Sequence, residues 1–257
     1  MNINQLRHPK EVLYRTLCLV FGLILWVPLI FVAIWFIPFV ALFLWVASMF
    51  FKASLYGNAV KVSDNQFKEL HKIKVDLSNQ MNIKNDPEFF IFNAEGAMNA
   101  LAVKFLSTKY ILLFSSLIDL LDTEDKQQLK AILAHELAHH AAGHTDFWLN
   151  LAMKPAMFIP FLGAAYSRAC EYTADRVAVY FVGDAVSNAL LQLACGSSAL
   201  SKKLSTDEFL AQETAVPSVA GFINEIYSSH PRMTRRIAEA AKYHNNASTS
   251  IATRQAA

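Results

Sequence analysis

Residues 135 to 139 read His-Glu-Leu-Ala-His, two imidazoles four positions apart with a carboxylate next to the first. On a helix, side chains four apart stack on one face, so His135 and His139 can offer ring nitrogens to one ion while Glu136 stands at the edge of the same site. Two neutral imidazoles and one oxygen ligand suit the tetrahedral preference of zinc and leave its fourth position open. The chemistry such a set supports is hydrolysis. The metal activates water and polarises a carbonyl, and Glu136 takes a proton as general base and returns it to the leaving amine.

A two-histidine site needs a third protein ligand. The strongest candidate is Glu171 in Arg168-Ala169-Cys170-Glu171-Tyr172-Thr173-Ala174-Asp175, where a second carboxylate follows at i+4. On one helix face, Glu171 ligates the metal and Asp175 holds the second nitrogen of a ligand histidine, His135. The alternative is a solvated acidic face neutralised by Arg168 and Arg176. His140 turns about 100° off the ligand face and His144 lies a turn further on, so both read as structural.

These residues must be carried by helices with a small sheet beside them. Asp122 or Thr123 can cap the helix that holds the motif, with Glu124 and Asp125 in its first turn. Lys126, Gln127, Gln128 and Lys130 make that helix polar on one side, which argues against a motif inside a lipid-spanning helix. Upstream, KVSDNQFKELHKIKVDLSNQMNI reads as a helix and a connection. The runs EFFIFNA, NALAVKF and KYILLFSS read as three strands of a small antiparallel sheet. The strand holding Asn99, Ala100, Leu101 and Ala102 can accept an extended peptide by edge pairing, which reads backbone more than side chains. Residues 202–213 look like a surface connection, and the stretch from Ser201 to Ser218 is a candidate cover for the site. The last 13 residues, NNASTSIATRQAA, lack an apolar period and are expected to be disordered.

Of the 257 residues, 54% are apolar and 17% charged, a balance shifted towards membrane proteins. The excess is local: the 36 residues between Arg15 and Lys52 carry no charge. As one helix they would extend about 54 Å, against a hydrocarbon core of about 30 Å. Two shorter spans turning near Ala33 to Pro38 fit better, with Pro38 opening the second; a single tilted span is the rival. Arg7, Lys10 and Arg15 before the segment and Lys52, Lys61 and Lys68 after it place both ends on the cytoplasmic side. The net charge of +2, without a basic run, excludes nucleic acid as a partner. Cys18, Cys170 and Cys195 cannot form a disulfide framework.

HELAHHAAGH followed by EYTAD resembles the HtpX-like membrane zinc metallopeptidases, relatives of the Oma-type and CAAX-processing Ste-type proteases. The resemblance runs from about Pro87 to Ile237. NALA is similar to the family's Asn-Ala strand near the substrate cleft, and SHPRMTRRI to its His-Pro element. It implies that His230 stabilises the oxyanion and that Arg236 assists it or braces Asp175. The fold implied is mainly α with a small antiparallel sheet: a zincin-like (gluzincin) domain over residues 57–244. A transmembrane hairpin over 1–56 precedes it and a tail over 245–257 follows. It further implies one zinc ion per chain, polypeptide substrates that are membrane-associated or misfolded, and an integral membrane protein. The setting expected is the bacterial inner membrane, with the catalytic domain on the cytoplasmic side. A non-catalytic zinc-binding scaffold or chaperone is the alternative, and the oligomeric state stays open. Family members carry long membrane segments between the zinc motif and the third ligand. Here residues 147–167 are too short and too interrupted by Lys154, Pro155 and Pro160, so a buried helix or a membrane-touching loop led by Phe147 and Trp148 is expected.

Overall fold

The structure is a computed structural model that describes residues 3–93, 100–105, 108–121 and 125–255. It opens with a long apolar helix, α1 (Pro9–Asn58), then β1 (Val60–Lys61), α2 (Lys68–Gln80), β2 (Glu88–Phe92), β3 (Ala100–Phe105) and β4 (Thr108–Phe114). The remainder is helical: α3 (Lys126–Ala141), α4 (Phe147–Met153), α5 (Leu162–Val182), α6 (Ala185–Cys195), α7 (Ser198–Ser201), α8 (Thr206–Ala211), α9 (Ser218–Tyr227) and α10 (Met233–Gln255).

His8 caps α1, its Nδ1 accepting the Lys10 N–H at 3.1 Å, and Pro9 takes the first position, where a missing N–H costs nothing. The expected division into two helices at Ala33–Pro38 is corrected: helical backbone runs on through those residues, and Pro38 lies inside the helix. Between Gly22 and Gly57 there is no glycine, asparagine or aspartate to turn the chain. Keeping the helix costs about one hydrogen bond per proline, whereas an open loop among apolar side chains would strand several.

The run is nevertheless not straight, because a straight helix would separate Glu11 from Phe51 by about 60 Å. Glu11 lies 3.3 Å from His144, whose N–H bonds to the His139 carbonyl at 2.9 Å. His140 Nε2 lies 3.1 Å from the Tyr110 carbonyl, and the Tyr110 ring is 5.3 Å from Phe51. Laid end to end, these contacts and the side chains between them reach only about 46 Å. The helix therefore bends back between its two seated ends. Pro28 and Pro38 lie within that stretch and are the residues able to bend it. Its large apolar side chains from Val27 to Phe43 are exposed, and the helix is long and apolar enough to cross a membrane.

The sheet has the order β1-β2-β4-β3 and is mixed, which corrects the antiparallel expectation. β1 pairs with β2 and β3 with β4 in antiparallel fashion, but β4 inserts between β2 and β3 and runs parallel to β2. Among the described residues, the insertion leaves β3 as the outermost strand.

α3 is packed between this sheet, α5 and α6. Leu129, Leu133 and Leu137 are wholly buried on it, each worth about 1.5–3 kcal/mol, and the small Ala134 and Ala138 let α5 approach closely. α4 and the 3-10 turn Lys154–Phe158 do not form a span. They pack on α1, where Trp26 Nε1 donates to the Leu151 carbonyl at 2.9 Å. Gly22 is required there, since a Cβ would sit 2.4 Å from the Ala152 carbonyl oxygen. Trp148 and Phe158 project outward from this corner.

The tail also differs from expectation, because α10 continues to Gln255. Its anchored turns bury Ile237 and Ala240 and supply the costly nucleus, after which each further residue of a weakly helical segment adds a bond cheaply.

Candidate active site

α3 presents His135 and His139, α5 presents Glu171 and Asp175, and the start of α10 presents Arg236. His135 Nε2 lies 3.2 Å from His139 Nε2. Glu171 lies 3.5 Å from each, through Oε2 to His135 and Oε1 to His139. Ligands about 2.0–2.1 Å from a tetrahedral ion are about 3.3–3.4 Å from one another. The two ring nitrogens stand at that spacing with one oxygen of the Glu171 carboxylate turned to each of them, and one ligand atom from each of the three residues lies within 4.8 Å of the others, so the donor set fits the ion.

Each ligand is held by something behind it. Asp175 Oδ1 lies 2.9 Å from His135 Nδ1, which fixes that ring's proton away from the donor nitrogen. Arg236 clamps Asp175 with two bonds, Nε to Oδ2 at 2.9 Å and Nη2 to Oδ1 at 2.7 Å, and reaches Glu171 Oε2 through Nη1 at 3.1 Å. Arg236 is only 6% exposed, so one fixed cation offsets one of the two carboxylate charges it faces out of water. The solvated-face alternative fails on this geometry. Arg176 pairs instead with Glu239 at 2.7 Å, and Arg168 donates to the carbonyls of Glu225 and Ser228, fixing the turn that leads to His230.

The charges follow from these partners. Burial pulls the His139 imidazole well below its ordinary range, keeping it neutral and ready to donate. Burial alone would raise Glu171, but the Arg236 charge and the histidines around it hold its carboxyl well below the usual range. Asp175 is likewise lowered, Arg236 outweighing its burial. Burial would lower His135, yet its bonds to Asp175 and Glu171 outweigh that and raise it to about 10. Glu136 is pushed up by burial, the direction a general base at neutral pH requires, and the Ala102 N–H bonds to it.

That last bond ties the base to the sheet. Ala102 turns its N–H away from β4 and towards Glu136, and Ala100 and Ala102 line a cavity of about 520 Å³ shared with His135, Glu136, Glu171 and His230. Leu101 has its backbone in the same edge strand; Asn99 lies outside the described residues. His230 stands at the mouth, its Nδ1 3.4 Å from Glu171 Oε2 and its side chain 66% exposed. Its pKa is raised, first by the bond to Glu171. The structure thus gathers Glu136, His135, His139, Glu171, Asp175, His230, Arg236 and the strand. Nothing from the stretch Ser201–Ser218 lines the cavity, so it is not the expected cover; its Glu213 is tied to Arg232 and Arg235. The cap residues Asp122, Thr123 and Glu124 lie outside the described residues, and Asp125 is the N-cap of α3.

Sequence reasoning missed two contacts. His144 Nδ1 lies 2.9 Å from His139 Nδ1, and Glu11 lies beyond His144. A signal for the first was present in Ala142-Gly143-His144. Gly143 adopts φ +77°, and the His144 and Gly143 N–H groups bond back to the carbonyls of His139 and His140, the Schellman arrangement that folds the next residue over the last turn.

The family model described as peptidase family M48 matches residues 64–162 and 147–244. The plastoglobule-localized metallopeptidase 48 of the Arabidopsis thaliana chloroplast is 31% identical over 173 residues, covering 61% of this chain and 48% of that protein. A protease HtpX homolog of Helicobacter pylori is 32% identical over 108 residues, covering 42% of this chain and 33% of the relative. The chain thus spans about half the length, or less, of the curated relatives it matches. The crystal structure of S. mikatae Ste24p aligns with a TM-score of 0.49 and 16% identity over 80% of this chain and 58% of that one. The two segments matched by the family model take in all of residues 64–244, from α2 to the first half of α10 with the whole motif, and the chain belongs to peptidase family M48.

Proposed function

We propose that this protein is a membrane-anchored, zinc-dependent endopeptidase acting on extended segments of membrane-associated or misfolded polypeptides. The observation that carries it is the cluster of His135 and His139, 3.2 Å apart through their Nε2 atoms, with the Glu171 carboxylate 3.5 Å from each through one oxygen apiece and Glu136 beside it. A zinc ion held there supplies Lewis acidity, lowering the pKa of water and polarising the scissile carbonyl. Glu136, buried and raised in pKa, takes the proton of the attacking water and delivers it to the leaving amine. His230, whose pKa is raised first by its bond to Glu171, faces the developing oxyanion from the cavity mouth. Arg236 stays locked on Asp175 and Glu171 and acts by holding the ligands. β3, the outermost strand among the described residues, takes the substrate backbone as an added strand, and the small side chains of Ala100 and Ala102 leave room for it.

α1 seats the domain on the bilayer. Its exposed apolar middle fits hydrocarbon, and the basic residues flanking it favour a cytoplasmic catalytic face, in the inner membrane if the host is a bacterium. The test is cleavage of an unfolded model protein by the detergent-purified chain. Chelator and Glu136→Gln should each remove it, the variant by about 10²- to 10⁴-fold, with zinc still bound. Undiminished turnover by Glu136→Gln would remove that residue from the mechanism.

A further inference from the structure

His135 has a carboxylate behind it, whereas the residues recognised from sequence leave His139 with none. We propose that Glu11 and His144 supply this support as positioning residues for His139, so that the first turn of the apolar helix completes the metal site. The inference rests on the metal reading of His135, His139 and Glu171.

The argument is an inventory of protons. A metal ligand at His139 Nε2 must present a lone pair there, which puts the ring's single proton on Nδ1. His144 Nδ1 lies 2.9 Å from that atom and has to accept. The proton of neutral His144 is thereby fixed on Nε2, which lies 3.3 Å from Glu11 Oε2. Both of these atoms are buried, and among the described residues neither makes a well-directed hydrogen bond, so what each has is this 3.3 Å approach to the other. Arg7 pairs with Glu11 Oε1, and its other terminal nitrogen donates to the Ala142 carbonyl at the end of α3. The chain of polar contacts from ligand to cation is therefore His139, His144, Glu11, Arg7. The His8 N–H bonds to the Thr173 hydroxyl of α5 at 2.9 Å and pins the same turn to the helix that carries Glu171.

A competing reading is a second ion, since ligand atoms of Glu11, His144 and Cys170 lie within 4.8 Å of one another. The same inventory opposes it. With an ion on each Nε2 and one proton between the two Nδ1 atoms, the histidine pair would carry an extra negative charge as an imidazolate.

The experiment uses the full-length protein in detergent and measures zinc affinity by competition with a chromophoric chelator. His144→Phe leaves the His139 N–H without an acceptor and should weaken zinc binding about 10- to 100-fold, the usual effect of losing such a partner. His144→Gln restores an acceptor oxygen and should recover most of the loss. Glu11→Gln should lie between them. The cobalt(II) absorption spectrum of His144→Phe should shift as His139 reorients, and the melting temperature of each metal-free variant separates lost folding from lost ligation. Wild-type affinity in both His144→Phe and Glu11→Gln would overturn the proposal. So would a second zinc equivalent that His144→Phe abolishes, which would establish the competing site. Wild type that takes up no more zinc than His135→Ala would instead bring down the metal reading itself.

Discussion

His135 and His139 sit one turn apart on one helix and are offered to the same ion, yet they are supported from opposite sides of the molecule. Behind His135 stands Asp175, on the same face of α5 as Glu171 and locked by Arg236. Behind His139 stands His144, carried back over the end of α3 by Gly143, and beyond it Glu11 from the apolar helix. One arm is built inside the peptidase fold. The other borrows from the segment expected to be only an anchor, so anchor and centre are one structure.

Asp175→Ala should show the largest effect, on the first arm. Removing one partner of a buried charge cluster costs about 3–5 kcal/mol, and because Glu171 still faces Arg236 the lower end applies, about 3 kcal/mol. The readout is the melting temperature of the metal-free protein, which a variant of the second arm such as His144→Phe should move much less. Equal destabilisation by both would erase the contrast. Next comes Gly143→Ala. There is open space for the methyl, but φ +77° is strained for a residue with a Cβ, at about 1–2 kcal/mol. Relaxing that strain would draw His144 off His139, so zinc affinity should fall while Asp175 and Arg236 keep their geometry. Unchanged affinity would show that Gly143 merely ends the helix.

The smallest effect lies outside both arms. Glu213 is lowered to about 2, first by its bonds to Arg232 and then by Thr234 and Arg235. A carboxyl depressed in the folded state gives stability that is present above its unfolded pKa of about 4.5 and is lost as pH falls through about 2. Wild type should therefore melt slightly above Glu213→Gln at neutral pH, with the two converging between about pH 4.5 and pH 2. A constant gap across that window would mean that the carboxylate charge contributes nothing.

What was legible in the sequence follows the same division. The motif and the Glu171–Asp175 pair were readable because helical periodicity places residues four apart on one face, whatever the rest of the chain does. Arg236 and His230 carried no local spacing rule and came only through family resemblance. The parallel pairing of β2 with β4 was not legible, since three apolar runs state that strands exist and not the order in which they pair. Nor was Glu11, 128 residues before His139, because nothing near Glu11 distinguishes an ordinary first-turn carboxylate from one that meets a histidine. The change of direction near Ala33 to Pro38 reads in the sequence as a break between two helices, whereas the structure keeps it within one. The prolines mark where a bend is cheap, and only the docking of both helix ends makes it necessary.

The most direct test of the metal centre is zinc X-ray absorption on the purified full-length chain. The account predicts a shell of nitrogen and oxygen at about 2.0–2.1 Å with the outer scattering of two imidazoles and no sulfur. A sulfur scatterer at about 2.3 Å would place the ion at Cys170 with Glu11 and His144, and would contradict the assignment of His135, His139 and Glu171.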